Sequence, residues 1–245
     1  MTAGLAGPGS KLAAKDRVAV AFDVETMDAA LEMRDRLGGA LGLAKIGSAL
    51  FVKEGMPLVR AFRDSGAKVF LDLKFHDIPS VVGKAVEKAV AEEVDYLTVH
   101  AAGGAKMIEQ AAAAAEAGVT KVLAVTVLTS LDLEGWRAAA PGEESIESAV
   151  RRLGANAVAA GAHGLVGSAH EAGLLREVGG ANCTVVTPGI RLPGTEAPDQ
   201  SRTMSPEEAA HAGSDILVVG RGVMKAADPE AALRSVQTAL EEASA

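Results

Sequence analysis

From residue 17 onward, short β-forming runs alternate with stretches of helical composition, and this alternation constrains the fold more than any other feature. The strand candidates are 17–23, 41–47, 67–75, 95–100, 121–128, 163–168, 183–188 and 216–220. The helical stretches between them are 27–37, 57–65, 81–93, 105–117, 144–160, 169–178, 206–212 and 229–243. Punctuation supports the helices. Asp228-Pro229 offers a cap followed by proline at the first helical position, and Ser205-Pro206-Glu207-Glu208 adds acids to the first turn. Gly118, Gly161 and Gly213 each follow a helical stretch, where a C-terminal glycine is expected. Strand–helix units in series imply a parallel sheet, and eight of them close naturally into a barrel. The reading is therefore α/β, a single (β/α)8 TIM-type barrel. An open doubly wound sheet is the runner-up, but no G-x-G-x-x-G follows the first strand.

The chain of 245 residues suits one such domain, assigned to residues 16–245, with residues 1–15 read as a disordered tail. The tail is Gly/Ala-rich and lacks the apolar core of a secretory signal. Composition removes several function classes. With 24 Lys+Arg against 32 Asp+Glu, the net charge of −8 lacks the basic footprint of a nucleic-acid binder. Aromatics at 3% leave little for base stacking. No apolar run reaches the roughly 18–20 residues of a membrane span. A lone Cys183 makes no internal disulfide, which fits a reducing, cytoplasmic setting.

In such barrels the active site lies at the C-terminal strand ends. The residues there are Asp23, Lys45, Asp72, Lys74, His100, Thr129, Arg191 and Gly220-Arg221. Strand side chains alternate, so Asp72 and Lys74 share the face opposite Leu71 and Leu73 and point into the barrel mouth. Charges there need partners. Lys45 can pair with Asp72, giving an alternating array of Lys45, Asp72, Lys74 and Asp77. An isolated D-x-K reads most simply as a structural ion pair; several charges converging on the catalytic end favour function. Late in the chain, Thr187-Pro188-Gly189-Ile190-Arg191 leads into a polar loop with Gly194, Asp199, Gln200 and Arg202. The last strand ends in Val219-Gly220-Arg221-Gly222. The loops after strands 7 and 8 are the usual phosphate site of these barrels, so Arg191, Gln200 and Arg221 become phosphate ligands. Solvated loops are the plainer alternative.

The five histidines lack metal-ligand spacing, and no metal is assigned. His76 and His100 fall near the site, whereas His163 and His170 read as surface or satisfied residues. Cys183, at a strand start, reads as a small buried residue.

The segment Asp72-Leu73-Lys74-Phe75-His76-Asp77-Ile78-Pro79 closely resembles the signature of the orotidine 5′-phosphate decarboxylase family. So do Ala21-Phe22-Asp23, Leu43-Ala44-Lys45-Ile46-Gly47, Val99-His100-Ala101-Ala102-Gly103-Gly104, Val125-Thr126-Val127-Leu128-Thr129-Ser130, Thr187-Pro188-Gly189-Ile190-Arg191, Asp199-Gln200 and Val219-Gly220-Arg221. D-x-K-x-x-D alone is shared with keto-gulonate-phosphate decarboxylases, but the ordered set is specific. The resemblance, to the bacterial short form, implies cofactor-free and metal-free decarboxylation of orotidine 5′-monophosphate to UMP. It makes Lys74 the acid that protonates C6 and sets Asp72 against the substrate carboxylate. It gives Lys45 to Asp72 and the ribose, and Asp23 and Asp77 to ribose hydroxyls. Ile78 joins the substrate-binding set beside Asp77. Asp77 would come from the partner of a homodimer with shared sites. Thr129 would touch the pyrimidine, and Gln200, Gly220 and Arg221 would grip phosphate with Arg191 nearby. The family usually carries Thr where this chain has Val81, which loses a ribose hydrogen bond; Ser80 is adjacent but misplaced. Two rivals stand beside this reading: a metal-dependent sugar-phosphate decarboxylase or aldolase on the same barrel, and a nucleotide binder without turnover.

Overall fold

The computed structural model describes residues 12–140, 142, 144–191 and 204–243. Eight parallel strands close into one barrel in chain order: β1 (Val18–Ala21), β2 (Leu43–Gly47), β3 (Lys68–Phe75), β4 (Tyr96–His100), β5 (Lys121–Val125), β6 (Gly164–Val166), β7 (Thr184–Thr187) and β8 (Ile216–Val219). Closure is the pairing of β1 with β8, Val18 opposite Leu217. The doubly wound alternative is excluded by this ring.

Alternation along each strand divides the core in two. Ala19, Leu43, Phe70, Tyr96, Leu123, Val186 and Ile216 fill the barrel interior. Their neighbours Val18, Val20, Ala44, Ile46, Leu71 and Leu97 face outward into a second layer under the helices. Residues of inward parity beyond the plug, such as Lys45, Asp72 and Thr98, must therefore emerge at the C-terminal mouth. The site is a consequence of strand period and strand length.

The helices are α1 (Met27–Leu37), α2 (Ser48–Asp64), α3 (Pro79–Ala91), α4 (Ala105–Ala115), α5 (Leu133–Ala139), α6 (Ile146–Ala159), α7 (Ala172–Gly179), α8 (Pro206–His211), α9 (Arg221–Met224) and α10 (Pro229–Glu242). Caps hold several starts. Ser205 and Glu208 exchange side-chain and backbone bonds at 3.2 and 2.8 Å ahead of α8, and Asp228 accepts from Ala231 N at 3.0 Å ahead of α10. Gly161 and Gly213 have φ of 90° and 106° after their helices. Gly118 does not take a left-handed conformation; α4 has already ended at Ala115. The second helix starts nine residues earlier than the sequence suggests, at Ser48 rather than Pro57. Gly55 (φ 63°) breaks it, and Pro57 sits in the first turn of the resumed helix, where a missing N–H is harmless. The short α5 and α9 were not anticipated.

Most of the stretch read as a tail, residues 1–11, lies outside the described residues. Its last two residues, Ala14 and Lys15, belong to a 3-10 turn, Ala14–Arg17. The turn packs so closely on Gly42 that a Cβ there would lie 2.3 Å from the Lys15 carbonyl oxygen. Ala14 and Lys15 are thus packed against the barrel. Buried polar groups close the N-terminal face of the barrel. Arg17 donates to the carbonyls of Asp215 (3.2 Å) and Ser214 (3.3 Å). Asp215 also pairs with Arg176 and accepts from Val185 N at 2.8 Å. Cys183, buried beside them, has its thiol pushed up to about 11, mainly by burial. His163 accepts from Val122 N at 3.2 Å, and burial lowers its pKa. Among the described residues, no helix is long and apolar enough to cross a membrane.

Candidate active site

A cavity of about 1050 Å³ opens at the C-terminal strand ends. Phe70, Val125, Val166 and Val218 line it beside Asp23, Lys45, Asp72 and Lys74. Strands β1, β2 and β3 bring these four charges together. Lys45 Nζ stands 3.5 Å from Asp72 Oδ2 and 3.9 Å from Asp23 Oδ1. Lys74 Nζ donates to Asp72 Oδ1 at 2.8 Å. Asp72 is the shared anion of two lysines, and Lys45 is a shared cation between two aspartates.

Electrostatics at Asp72 work in opposite directions. Burial pushes its carboxyl up, but Lys45, Lys74 and hydrogen bonds from Lys74 and Thr98 outweigh burial and hold it below the usual carboxylate range. The His100 ring, 5.6 Å from that of His76, has its pKa lowered by burial first and then by His76 and Lys74, against an opposing pull from Asp72. Neither histidine lines the cavity.

The backbone under Lys74 departs from regular strand. Leu71 is registered with Leu97 but Phe75 with Val99, so four steps on β3 oppose two on β4. Lys74 takes up the excess with φ of 50°, rare for a non-glycine residue and costing about 1–3 kcal/mol. Its amide donates 2.8 Å to Thr98 Oγ1, and the same hydroxyl donates 3.0 Å to Asp72 Oδ1.

The same cavity is lined by Thr129, Pro188, Gly189, Arg191, Gly220, Arg221, Gly222 and Lys225. Gly220 precedes the first turn of α9, so the backbone there faces the cavity close to Arg221. Ile190 bridges Met204, and Arg191 N donates to Met204 O at 3.0 Å, joining the two ends of segment 192–203 at the rim. Gln200, with Gly194, Asp199 and Arg202, lies outside the described residues.

Asp77 and Ile78 are not among the cavity's lining residues. Asp77 is exposed and accepts from Ile78 N at 2.6 Å; among the described residues it forms no ion pair. The four-charge array drawn from the sequence therefore closes within one chain through Lys45, Asp72 and Lys74, with Asp23 as its further member, and not through Asp77. The reason is chain direction: β3 ends at Phe75, and Asp77 turns outward into the start of α3. Ile78 and Val81 are exposed apolar residues on that same segment. Sequence reasoning missed Thr98 and Lys225. Inward parity with Tyr96 marks Thr98, and the i, i+4 step from Arg221 marks Lys225. Among the described residues, no group of three or more His, Cys, Asp or Glu is placed to hold a metal ion.

A barrel mouth that holds a lysine–carboxylate network together with two arginines is suited to binding an anionic small molecule. Comparison with other proteins narrows this class. Residues 16–236 match the Orotidine 5′-phosphate decarboxylase / HUMPS family, and the chain belongs to it. It is 41% identical over 238 residues to orotidine 5′-phosphate decarboxylase of Moorella thermoacetica, covering 94% of each chain. It is 45% identical over 228 residues to the enzyme of that name from an Anaeromyxobacter species, covering 92% of this chain and 98% of the relative. A crystal structure of orotidine 5′-phosphate decarboxylase from Lactobacillus acidophilus matches with a TM-score of 0.82 at 32% identity, over 91% of this chain and 98% of that one.

Proposed function

We propose that this protein decarboxylates orotidine 5′-monophosphate to UMP, the last step of de novo UMP synthesis, without cofactor or metal. The observation that carries the reading is the Lys45–Asp72–Lys74 relay inside a cavity that Arg191 and Arg221 also line.

Loss of carbon dioxide from C6 leaves an electron pair in an in-plane orbital that the ring cannot delocalise. Fixed positive charge must stabilise it. Lys74 provides that charge and then the proton. At ~4 Å and an effective dielectric near 20, one cation contributes roughly 4 kcal/mol, which is about three decades of rate. Binding of the phosphate and ribose supplies the rest by holding the reactive arrangement. Asp72 faces the departing carboxylate and keeps Lys74 charged and aimed. Lys45 and Asp23 bind the ribose, Thr129 the pyrimidine, and Gly220, Arg221, Gln200 and Arg191 the phosphate.

The functional unit in this reading is a homodimer acting in the cytoplasm. Asp77 and Ile78, turned away from their own cavity, serve the partner's. The exposed apolar side chains of Ile78 and Val81 support a covered surface there. Val81 offers no hydroxyl to a ribose, so that bond is absent from the proposed contacts.

The reading is tested by adding purified protein to orotidine 5′-monophosphate in EDTA and following the loss of substrate absorbance with formation of UMP. Full turnover supports it. Turnover only with added divalent metal favours the sugar-phosphate type of barrel chemistry, and binding of UMP without turnover favours a nucleotide-binding protein.

A further inference from the structure

We propose that Thr98 is a positioning residue for this site: its single hydroxyl holds the Asp72 carboxylate and the Lys74 backbone at once. The inference rests on the reading that Asp72 and Lys74 carry the reaction, and adds a residue outside the cavity lining that fixes their mutual geometry.

Thr98 is fully buried in the middle of β4. Inward parity directs its side chain toward β3 at the place where the two strands fall out of register. A regular ladder gives a strand amide a carbonyl acceptor on a neighbouring strand. At the irregularity, the Lys74 amide donates instead to Thr98 Oγ1 at 2.8 Å. The hydroxyl proton is then committed to Asp72 Oδ1 at 3.0 Å. That same carboxylate oxygen receives Lys74 Nζ at 2.8 Å. Backbone amide, hydroxyl, carboxylate and ammonium thus form a closed circuit that begins and ends on Lys74. A lysine has a long, rotamer-rich side chain, and its left-handed backbone is unfavourable for a residue with a Cβ. The circuit anchors both ends of the residue. Neither a methyl group nor a hydrogen at the Oγ1 position closes it, whereas serine retains the required atom.

The test compares Thr98→Val, close in shape but without the hydroxyl, with Thr98→Ser, and uses Asp72→Asn as the reference lesion. The expected result for Thr98→Val is a fall in kcat of about 10- to 100-fold, the range for losing a hydrogen bond to a charged group. UMP affinity should stay within about twofold, since Thr98 does not line the cavity. Thr98→Ser should recover kcat to within a few-fold of wild type. Wild-type kcat in Thr98→Val, with Asp72→Asn inactive, overturns the role of Thr98 and leaves the function standing. Thr98→Ser as impaired as Thr98→Val, or UMP affinity falling in parallel with kcat, also overturns it. Undiminished turnover in Asp72→Asn instead removes the underlying reading. Should Thr98→Val not fold, Thr98→Cys, of similar size and a poor donor, is held to the same criteria.

Discussion

Lys74 Nζ lies 2.8 Å from Asp72 Oδ1, two positions back on the same strand. Residues two apart on a strand are separated by about 6.6 Å along the chain. The lysine must therefore fold back along β3 rather than extend across the mouth. It does so from a left-handed backbone, beside a carboxylate already engaged by Lys45 and Thr98. In the proposed function, such a fixed ion pair supplies the preorganised charge that stabilises a developing carbanion.

The lowered pKa of Asp72 gives a pH prediction. Its folded-state pKa lies below the ordinary carboxylate value, so its contribution to stability is fully present above that ordinary value. The contribution is lost as pH falls through the folded pKa. Denaturant titrations of wild type and Asp72→Asn should show a constant stability difference from neutral pH down to about 4, narrowing only in more acid solution. A difference that shrinks already around pH 6 contradicts this.

Arg221, at the start of α9 on the cavity wall, should distinguish nucleotide from nucleoside. Arg221→Ala should lower kcat/KM for orotidine 5′-monophosphate by roughly 10- to 150-fold, the worth of a charge-assisted contact. Use of orotidine itself should change little. Equal losses on both substrates mean that Arg221 does not bind phosphate.

Shared sites have a signature in subunit mixing. Homodimers of Lys74→Ala and of Asp77→Ala should each be nearly inactive. After exchange, about half the dimers are hybrids. One site of each hybrid carries both lesions and the other neither, so activity should return to roughly a quarter of wild type if sites act independently. No recovery, with exchange confirmed by mass, assigns Asp77 to its own subunit.

Stability rests on the layer outside the barrel, where the fully buried rings of Phe22 and Phe62 meet edge-on at 4.6 Å. Phe62→Ala should cost about 3–5 kcal/mol in unfolding free energy, as large-to-small aromatic substitutions do. A loss under ~1 kcal/mol on denaturation would mean that α2 is not packed as described.

The parallel barrel was legible because most strands kept a hydrophobic signature: a run such as Val18–Ala21 is buried on both faces and reads as continuous. The helices were legible where proline or a capping box marked a start, as at Pro229 and Ser205. The first half of α2 was not, because Gly55 and Pro57 look like a loop; they break a helix that resumes at once. Alternation alone put Asp72 and Lys74 on one face, but it carries no information about the bulge or the left-handed φ at Lys74. Those depend on how β3 registers with β4, a non-local property. Thr98 escaped for the same reason: its importance comes from a strand 24 residues away in the chain. Asp77 belongs to the matched motif, but no spacing rule says that the chain turns it out of its own cavity.

Turnover by Lys74→Ala tests the central claim most directly. Lys74 is partly exposed and lines the cavity, so the variant should fold with a melting temperature near that of wild type and still bind UMP. The account predicts at least a thousandfold loss of orotidine 5′-monophosphate decarboxylation, from losing the stabilising charge and the proton donor together. Near wild-type turnover in a folded Lys74→Ala protein would contradict it.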